Sequence, residues 1–152
     1  MDIKDRTNET FTARTGRPTR RGLTDQQRII ALAIGDVIVF LVFAAVGRRN
    51  HGETSAVLSV TITALPFAIA WFIVSPFVGA FRRGLELQPG KMALRTLLAW
   101  LASWPVALLL RGIFVDQGVP PWNFAIITLI ANTILLLLWR VPFALFNSLR
   151  KR

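Results

Sequence analysis

The sequence predicts an all-α integral membrane protein, a four-helix bundle whose two termini both lie in the cytoplasm. Apolar residues make up 53% of the 152-residue chain, and they gather in four long runs. A helix needs roughly 20 residues to cross the hydrocarbon core of a bilayer, and each run is long enough. Continuous runs favour helices, because the strands of a membrane barrel alternate apolar and polar residues.

The chain divides into a basic N-terminal tail, a four-span domain and a short basic C-terminal tail. Residues 1–28 are polar with few large apolar side chains, which predicts a disordered cytoplasmic segment. The four-span domain covers residues 29–147, and residues 148–152 form the second cytoplasmic tail. The predicted spans lie near residues 29–47, 55–81, 94–115 and 123–146.

Basic residues are concentrated on one side of the predicted bundle, and the chain has a formal net charge of +10. They occur in the N-terminal tail, in the loop between the second and third spans, and at the C-terminus. The other side holds only Arg48 and Arg49 after the first span and Arg111 inside the third. Cytoplasmic loops carry an excess of Lys and Arg, so both termini are predicted to be cytoplasmic in a plasma (inner) membrane. The basic tail also predicts attraction to anionic lipids.

The first span, from Ile29 to Gly47, contains a carboxylate near its centre, Asp36. Such a group costs about 3 kcal/mol on insertion scales, so it is expected to face protein and not lipid. On the fourth span, Asn132 and Arg140 are candidate partners, and Arg140 lies roughly 6 to 7 Å nearer the cytoplasm than Asp36. The sequence therefore predicts an intramembrane polar network of Asp36, Asn132 and Arg140.

Three roles for this network remain open. The first is a structural role, in which an ion pair or hydrogen bond fixes the register of the helices. The second is a proton or cation relay, and the third is contact with a ligand. Pro66 and Pro105 lie near the centres of the second and third spans, where each removes an intrahelical hydrogen bond and favours a kink. The carbonyls freed in this way coordinate ions in some transporters, but proline is also tolerated in membrane helices without such a role.

Trp100 and Trp104 lie one turn apart on the third span. Tryptophan usually lies at membrane interfaces, so a tryptophan near the midplane indicates either packing inside the bundle or contact with a flat apolar ligand. These two residues form the candidate apolar-ligand or packing face.

The outer ends of the spans carry a second group of polar residues, Arg48, His51, Glu53 and Arg111, with Asp116 nearby. One interpretation is a solvated loop end with snorkelling arginines. The sharper hypothesis is a site for an anion or a lipid headgroup, in which the arginines supply the positive charge.

Several classes of chemistry are excluded by residue counts. The chain has no cysteine and one histidine, which rules out disulfides, thiolate metal sites and multi-histidine sites. The HExxH and GxSxG motifs are absent as well. No catalytic residue, metal or cofactor is predicted, and the protein is not expected to be an enzyme. Nucleic acid is not an expected partner, because most basic residues flank apolar runs instead of forming a polar binding face.

From Ile29 to Arg140 the chain resembles a small prokaryotic membrane-protein family catalogued as domain of unknown function 3054. The resemblance is carried by Asp36, the GRRNH segment with Arg48 and His51, Pro66-Phe67, Trp71, Arg111, Phe124 and Trp139-Arg140. The resemblance implies four membrane spans, but it implies no activity, because none is established for the family. It also implies that a polar set belongs together, namely Asp36, Arg48, His51, Arg111 and Arg140.

Three functions are compatible with these features. An accessory or scaffold subunit of a larger membrane complex is favoured by the small size and the absence of catalytic motifs. The first alternative is a small oligomeric transporter or channel that uses Asp36, and the second is a protein that binds a lipid or an apolar cofactor. The expected partners are the bilayer itself and either further copies of the chain or other membrane subunits.

Overall fold

The computed structural model describes residues 24–50 and 57–150. It contains four long helices and, in the described residues, no strand. The helices are α1 (Asp25–Asn50), α2 (Val57–Val78), α3 (Pro89–Arg111) and α4 (Trp122–Arg150). All four are long and apolar enough to cross a membrane. The predicted all-α four-helix membrane bundle is therefore confirmed.

The helices form a ring in chain order. In the described residues α1 packs against α2 and α4, and α3 packs against the same two helices. A short 3₁₀ turn at Leu85–Leu87 lies between α2 and α3, and a π-helical turn at Gly112–Asp116 follows α3. The start of α1, the α2–α3 turn and the end of α4 consequently lie at one end of the bundle.

The first helix begins inside the segment predicted as tail, which corrects the predicted boundary at residue 28. The Thr24 hydroxyl accepts a bond from the Gln27 amide at 3.2 Å, and the Gln27 side chain accepts one from the Thr24 amide at 3.1 Å. This reciprocal pair is a capping box, which starts a helix in a polar sequence. Apolar content alone could not show it. The predicted disorder of residues 1–23 concerns a segment outside the described residues.

The other helix ends also differ from the limits of the apolar runs. Helix α2 stops at Val78, before the predicted residue 81, because Gly79 adopts a left-handed conformation with φ 80°. The Ala80 amide bonds to the Ser75 carbonyl and the Gly79 amide to the Pro76 carbonyl, both at 3.0 Å, which is a Schellman motif. Helix α3 starts earlier than predicted, at Pro89, a residue suited to a first helical turn.

The end of the fourth helix shows the same kind of difference. Helix α4 continues to Arg150, so most of the predicted C-terminal tail is helical. Membrane helices extend beyond the hydrocarbon layer into the polar interface, where an apolar run no longer marks them.

The centre of the bundle is aromatic. Phe40 of α1 lies 6.3 Å from Trp71 of α2 and 5.7 Å from Trp100 of α3, measured between ring centroids. Phe67 of α2 lies 6.2 Å from Phe124 of α4. These rings connect all four helices, and their contact geometry contributes about 0.5 to 1.5 kcal/mol per pair beyond burial. The outer faces carry exposed aliphatic side chains, as expected of surfaces that contact lipid.

Candidate functional site

A buried charge pair joins α1 to α4 inside the bundle. Asp36 of α1 and Arg140 of α4 are both 0% exposed. The Arg140 Nε donates to the Asp36 Oδ1 at 2.9 Å, and the Arg140 Nη2 donates to Oδ2. This is the bidentate arrangement that gives arginine and carboxylate their strongest contact. The sequence prediction placed these two residues in one network, and the structure brings them together.

The second helix and its following turn complete this network. The Trp71 Nε1 donates to the Asp36 Oδ2 at 2.9 Å, and the Arg140 Nη1 donates to the Ala80 carbonyl at 2.9 Å. The guanidinium carbon of Arg140 lies 4.9 Å from the Trp71 ring and 4.7 Å from the Phe81 ring. Cation–π contacts of this kind strengthen when water is excluded. We call Asp36, Trp71 and Arg140 the central triad.

In the central triad the carboxylate is enclosed by its hydrogen-bond donors. Both carboxylate oxygens of Asp36 accept hydrogen bonds, and the residue has no exposed surface. A buried charge is tolerated when it is paired and its bonding capacity is filled, as it is here. The triad ties α1, α2 and α4 together at one depth.

Asn132 does not join the triad, which corrects the predicted network. Its Nδ2 donates to the Thr128 carbonyl at 3.0 Å, one turn earlier on the same helix. Its Oδ1 is buried and has no hydrogen-bond partner in the described part of the chain. Asn132 lies roughly 12 Å along α4 from Arg140, and its short side chain finds the nearest backbone carbonyl first.

The two tryptophans of α3 bind to the backbone of α4. The Trp100 Nε1 donates to the Leu129 carbonyl at 3.1 Å, and the Trp104 Nε1 donates to the Ala125 carbonyl at 3.1 Å. Trp100 is fully buried. Of the two interpretations of this face, the contacts correspond to packing between α3 and α4. Trp104 also lines an apolar groove of about 770 Å³ at the end of the bundle near residues 112–122.

The structure describes only Arg48 and Arg111 of the predicted outer site. The Arg111 Nε and Nη2 donate to the two Asp116 carboxylate oxygens at 2.9 and 3.0 Å, and the Arg111 guanidinium lies 4.2 Å from the Phe124 ring. The π-helical turn after α3 brings Asp116 back to Arg111, so the arginine charge already has a counter-ion. Arg48 lies in the last turn of α1. His51 and Glu53 lie outside the described residues.

Arginines from three helices bind carbonyls of the last residue of α2 and of the turn that follows it, and the sequence analysis does not identify two of these arginines. The Arg28 Nη1 donates to the carbonyls of Phe81 and Arg82, both at 3.1 Å. The Arg95 Nη1 donates to the Val78 carbonyl at 2.8 Å, and Arg140 binds Ala80 as described above. A helix end presents unpaired carbonyls with partial negative charge, which favours cations there.

Arg28 lies in the segment that the sequence predicts to be a disordered tail, yet it is only 2% exposed. One sequence signal could have found it, because Arg28 precedes Asp36 by about two helical turns and so lies on the same face of α1. Glu86 of the α2–α3 turn lies near it, with 3.6 Å between the Glu86 Oε2 and the Arg28 Nη1.

The comparison with known families matches most of the four-helix domain. A family described as a protein of unknown function (DUF3054) matches residues 33–143, a range that contains the whole central triad. No curated protein and no solved structure was found to match the chain. The matched range covers more than half of the chain and agrees with the resemblance carried by the sequence motifs. The chain is therefore a member of the DUF3054 family.

Proposed function

We propose that the protein is a non-enzymatic accessory or scaffold subunit of a larger membrane complex. The observation that carries the proposal is the closure of the central triad. Asp36 and Arg140 are fully buried, and both oxygens of the carboxylate are bonded within the chain. The intramembrane charges therefore join helices to one another, which leaves the outer faces of the bundle as the surfaces that act on other molecules.

The contacts of the central triad favour this role over transport through Asp36. A carboxylate that relays a proton or a cation exchanges partners during each cycle, and it needs contact with water or with the next group in the pathway. Asp36 has three donors from Arg140 and Trp71 and no exposed surface. Release of the carboxylate would break a bidentate ion pair and strand a buried arginine. The triad is thus better suited to fixing the arrangement of the helices than to a conformational change during transport.

We also propose that both termini lie in the cytoplasm. The structure puts Arg28, Arg82, Arg83, Lys91 and Arg95 at the same end of the bundle, which agrees with a positive cytoplasmic side.

The first testable prediction concerns this orientation. A fluorescent reporter fused after Arg152 is expected to fold and fluoresce, and an alkaline phosphatase inserted at Gly118, between α3 and α4, is expected to be active. The reason is that the α3–α4 connection lies at the end opposite the basic one. Exchanging the two reporters between the same sites provides the control. An active phosphatase at Arg152 would show that the orientation is reversed.

The second prediction tests the scaffold role. The tagged full-length protein, purified in mild detergent, is expected to retain a foreign membrane protein at a fixed stoichiometry. A photo-cross-linking residue is then placed on one helix at a time, at Ile38, Ile69, Leu101 or Ile130, which are 45 to 53% exposed. We expect adducts with that same protein from one helix or two neighbouring ones, because a specific interface occupies one side of the bundle.

The matched control for this experiment is a cross-linker at Phe40, which is 0% exposed and should give no intermolecular adduct. Two outcomes would contradict the proposal. One is a purified species that contains only copies of this chain, which would favour the oligomeric transporter. The other is a set of equal, unselective adducts from all four helices.

A further inference from the structure

We propose that the end of α2 and the start of α3 form a binding site for the phosphate headgroup of an anionic phospholipid. Arg82 and Arg95 would hold the phosphate, and the lipid chains would lie against Phe77 and Leu94. This proposal is independent of the scaffold role. It also differs from a general attraction of the basic tail, because it assigns the contact to particular side chains.

Two arginine side chains lie against the backbone of two consecutive residues, Val78 and Gly79. Arg95 of α3 donates from Nη1 to the Val78 carbonyl at 2.8 Å. The side chain of Arg82 folds back over the next residue, Gly79, with its Nε 3.0 Å from the position that a Cβ would occupy there. Gly79 has no Cβ, so the Arg82 side chain can lie against the backbone. The two arginines therefore converge from α3 and from the turn on the end of α2.

The charge of these two arginines is not balanced by acidic groups in the described residues. Arg83 forms an ion pair with Asp25, with 2.7 Å between the Arg83 Nη2 and the Asp25 Oδ2. Arg28 lies near Glu86. Within the part of the chain that the structure describes, no carboxylate lies within ion-pair distance of Arg82 or Arg95. An anion with several acceptor oxygens is the natural ligand for two neighbouring guanidinium groups, since arginine matches phosphate geometry.

The surroundings of the two arginines indicate a lipid instead of a free anion. Phe77, immediately before Val78, is 89% exposed, and Leu94, immediately before Arg95, is 56% exposed. Leu98 lies one turn further along α3, towards the membrane centre, and is 44% exposed. Basic groups at the membrane surface thus border an apolar face that runs into the bilayer. Basic pockets between helices at this depth recognise anionic headgroups while the chains remain in the membrane.

The third prediction tests this site on the purified full-length protein with phosphatidylglycerol as the probe. Binding is followed by native mass spectrometry during a lipid titration, with phosphatidylcholine as the zwitterionic comparison. Replacing both Arg82 and Arg95 by glutamine is expected to weaken phosphatidylglycerol binding at least about tenfold, because two charge-assisted contacts are lost. Binding of phosphatidylcholine should change little.

The matched control is Arg83→Gln, which removes the same charge from the neighbouring residue. Arg83 is 82% exposed and paired with Asp25, so its loss should leave lipid affinity unchanged. If the double variant does not fold, Arg82→Gln alone is informative, because the Arg82 side chain makes no hydrogen bond in the described residues, and a threefold or greater loss is expected.

Three results would overturn the proposal. The first is unchanged affinity in folded Arg82→Gln, and the second is an equal loss in Arg83→Gln, which would show that only the net charge matters. The third is competition by inorganic phosphate at the same concentration as the lipid, which would identify the ligand as a free anion.

Discussion

Replacing Asp36 by leucine is expected to destabilise the bundle by about 3 to 5 kcal/mol, because it removes one partner of a buried ion pair. The change leaves the Arg140 guanidinium in the centre of the bundle without its counter-ion and leaves the Trp71 indole without its acceptor. Asp36→Asn retains the shape and one oxygen acceptor, so we expect a smaller loss. The free energy of unfolding can be measured in mixed micelles by titration with SDS, followed by tryptophan fluorescence.

A second substitution separates loss of the pair from loss of a single group. The double variant Asp36→Leu/Arg140→Leu should recover much of the lost stability, because it leaves no unpaired charge inside the bundle. Ile38→Leu, at a lipid-facing position of the same helix, is the control and should have little effect. Equal stability of Asp36→Leu and this control would mean that the central triad does not hold the helices together.

Replacing Gly35 by alanine is expected to destabilise the contact between α1 and α4 by about 1 to 3 kcal/mol, as overpacking does. A Cβ at residue 35 would lie 1.9 to 2.2 Å from three indole atoms of Trp139. The indole ring also packs against the Phe143 ring, with 5.6 Å between their centroids, so a shift away from residue 35 would disturb a second contact. The same SDS titration measures the change in unfolding free energy.

Two further variants make this prediction specific. Gly47→Ala is the matched control, because a Cβ on this second glycine of α1 would have no atom within 4 Å. Adding Trp139→Leu to Gly35→Ala should remove the clash, so the two substitutions together should cost less than the sum of their separate effects. An additive result, or a Gly35→Ala variant as stable as the Gly47→Ala control, would show that the close contact does not limit the packing of α1.

The pairing of Asp36 with Arg140 could be predicted because depth and charge restrict the choices inside a membrane. A carboxylate near the midplane needs a partner, and Arg140 is the cation whose depth and reach fit it. The same reasoning wrongly included Asn132, because depth does not show whether a polar side chain already bonds to its own helix. The part played by Trp71 depends on how α2 is rotated about its axis, which the apolar run of that helix does not specify.

The ends of the helices were harder to predict than their centres. Arg28 belongs to α1 because a capping box extends the helix beyond its apolar part, and burial of this arginine depends on carbonyls contributed by a distant turn. Asp116 reaches Arg111 through a π-helical turn, which follows neither the helical nor the extended periodicity. Turns of this kind are set by local backbone geometry and by the packing around them.

The central ion pair joins residues that are 104 positions apart, in α1 and α4. A chain is synthesised from its N-terminus, so α1 is in the membrane before α4 has been made. During this interval Asp36 lacks its Arg140 partner, and an unpaired carboxylate inside an apolar helix makes insertion into the bilayer costly. Trp71 of α2 supplies one hydrogen bond to this carboxylate, and Arg140 of α4 supplies the opposite charge. The pair thus makes synthesis of α4 a condition for a stable bundle, and a chain terminated before α4 would lack the group that neutralises Asp36.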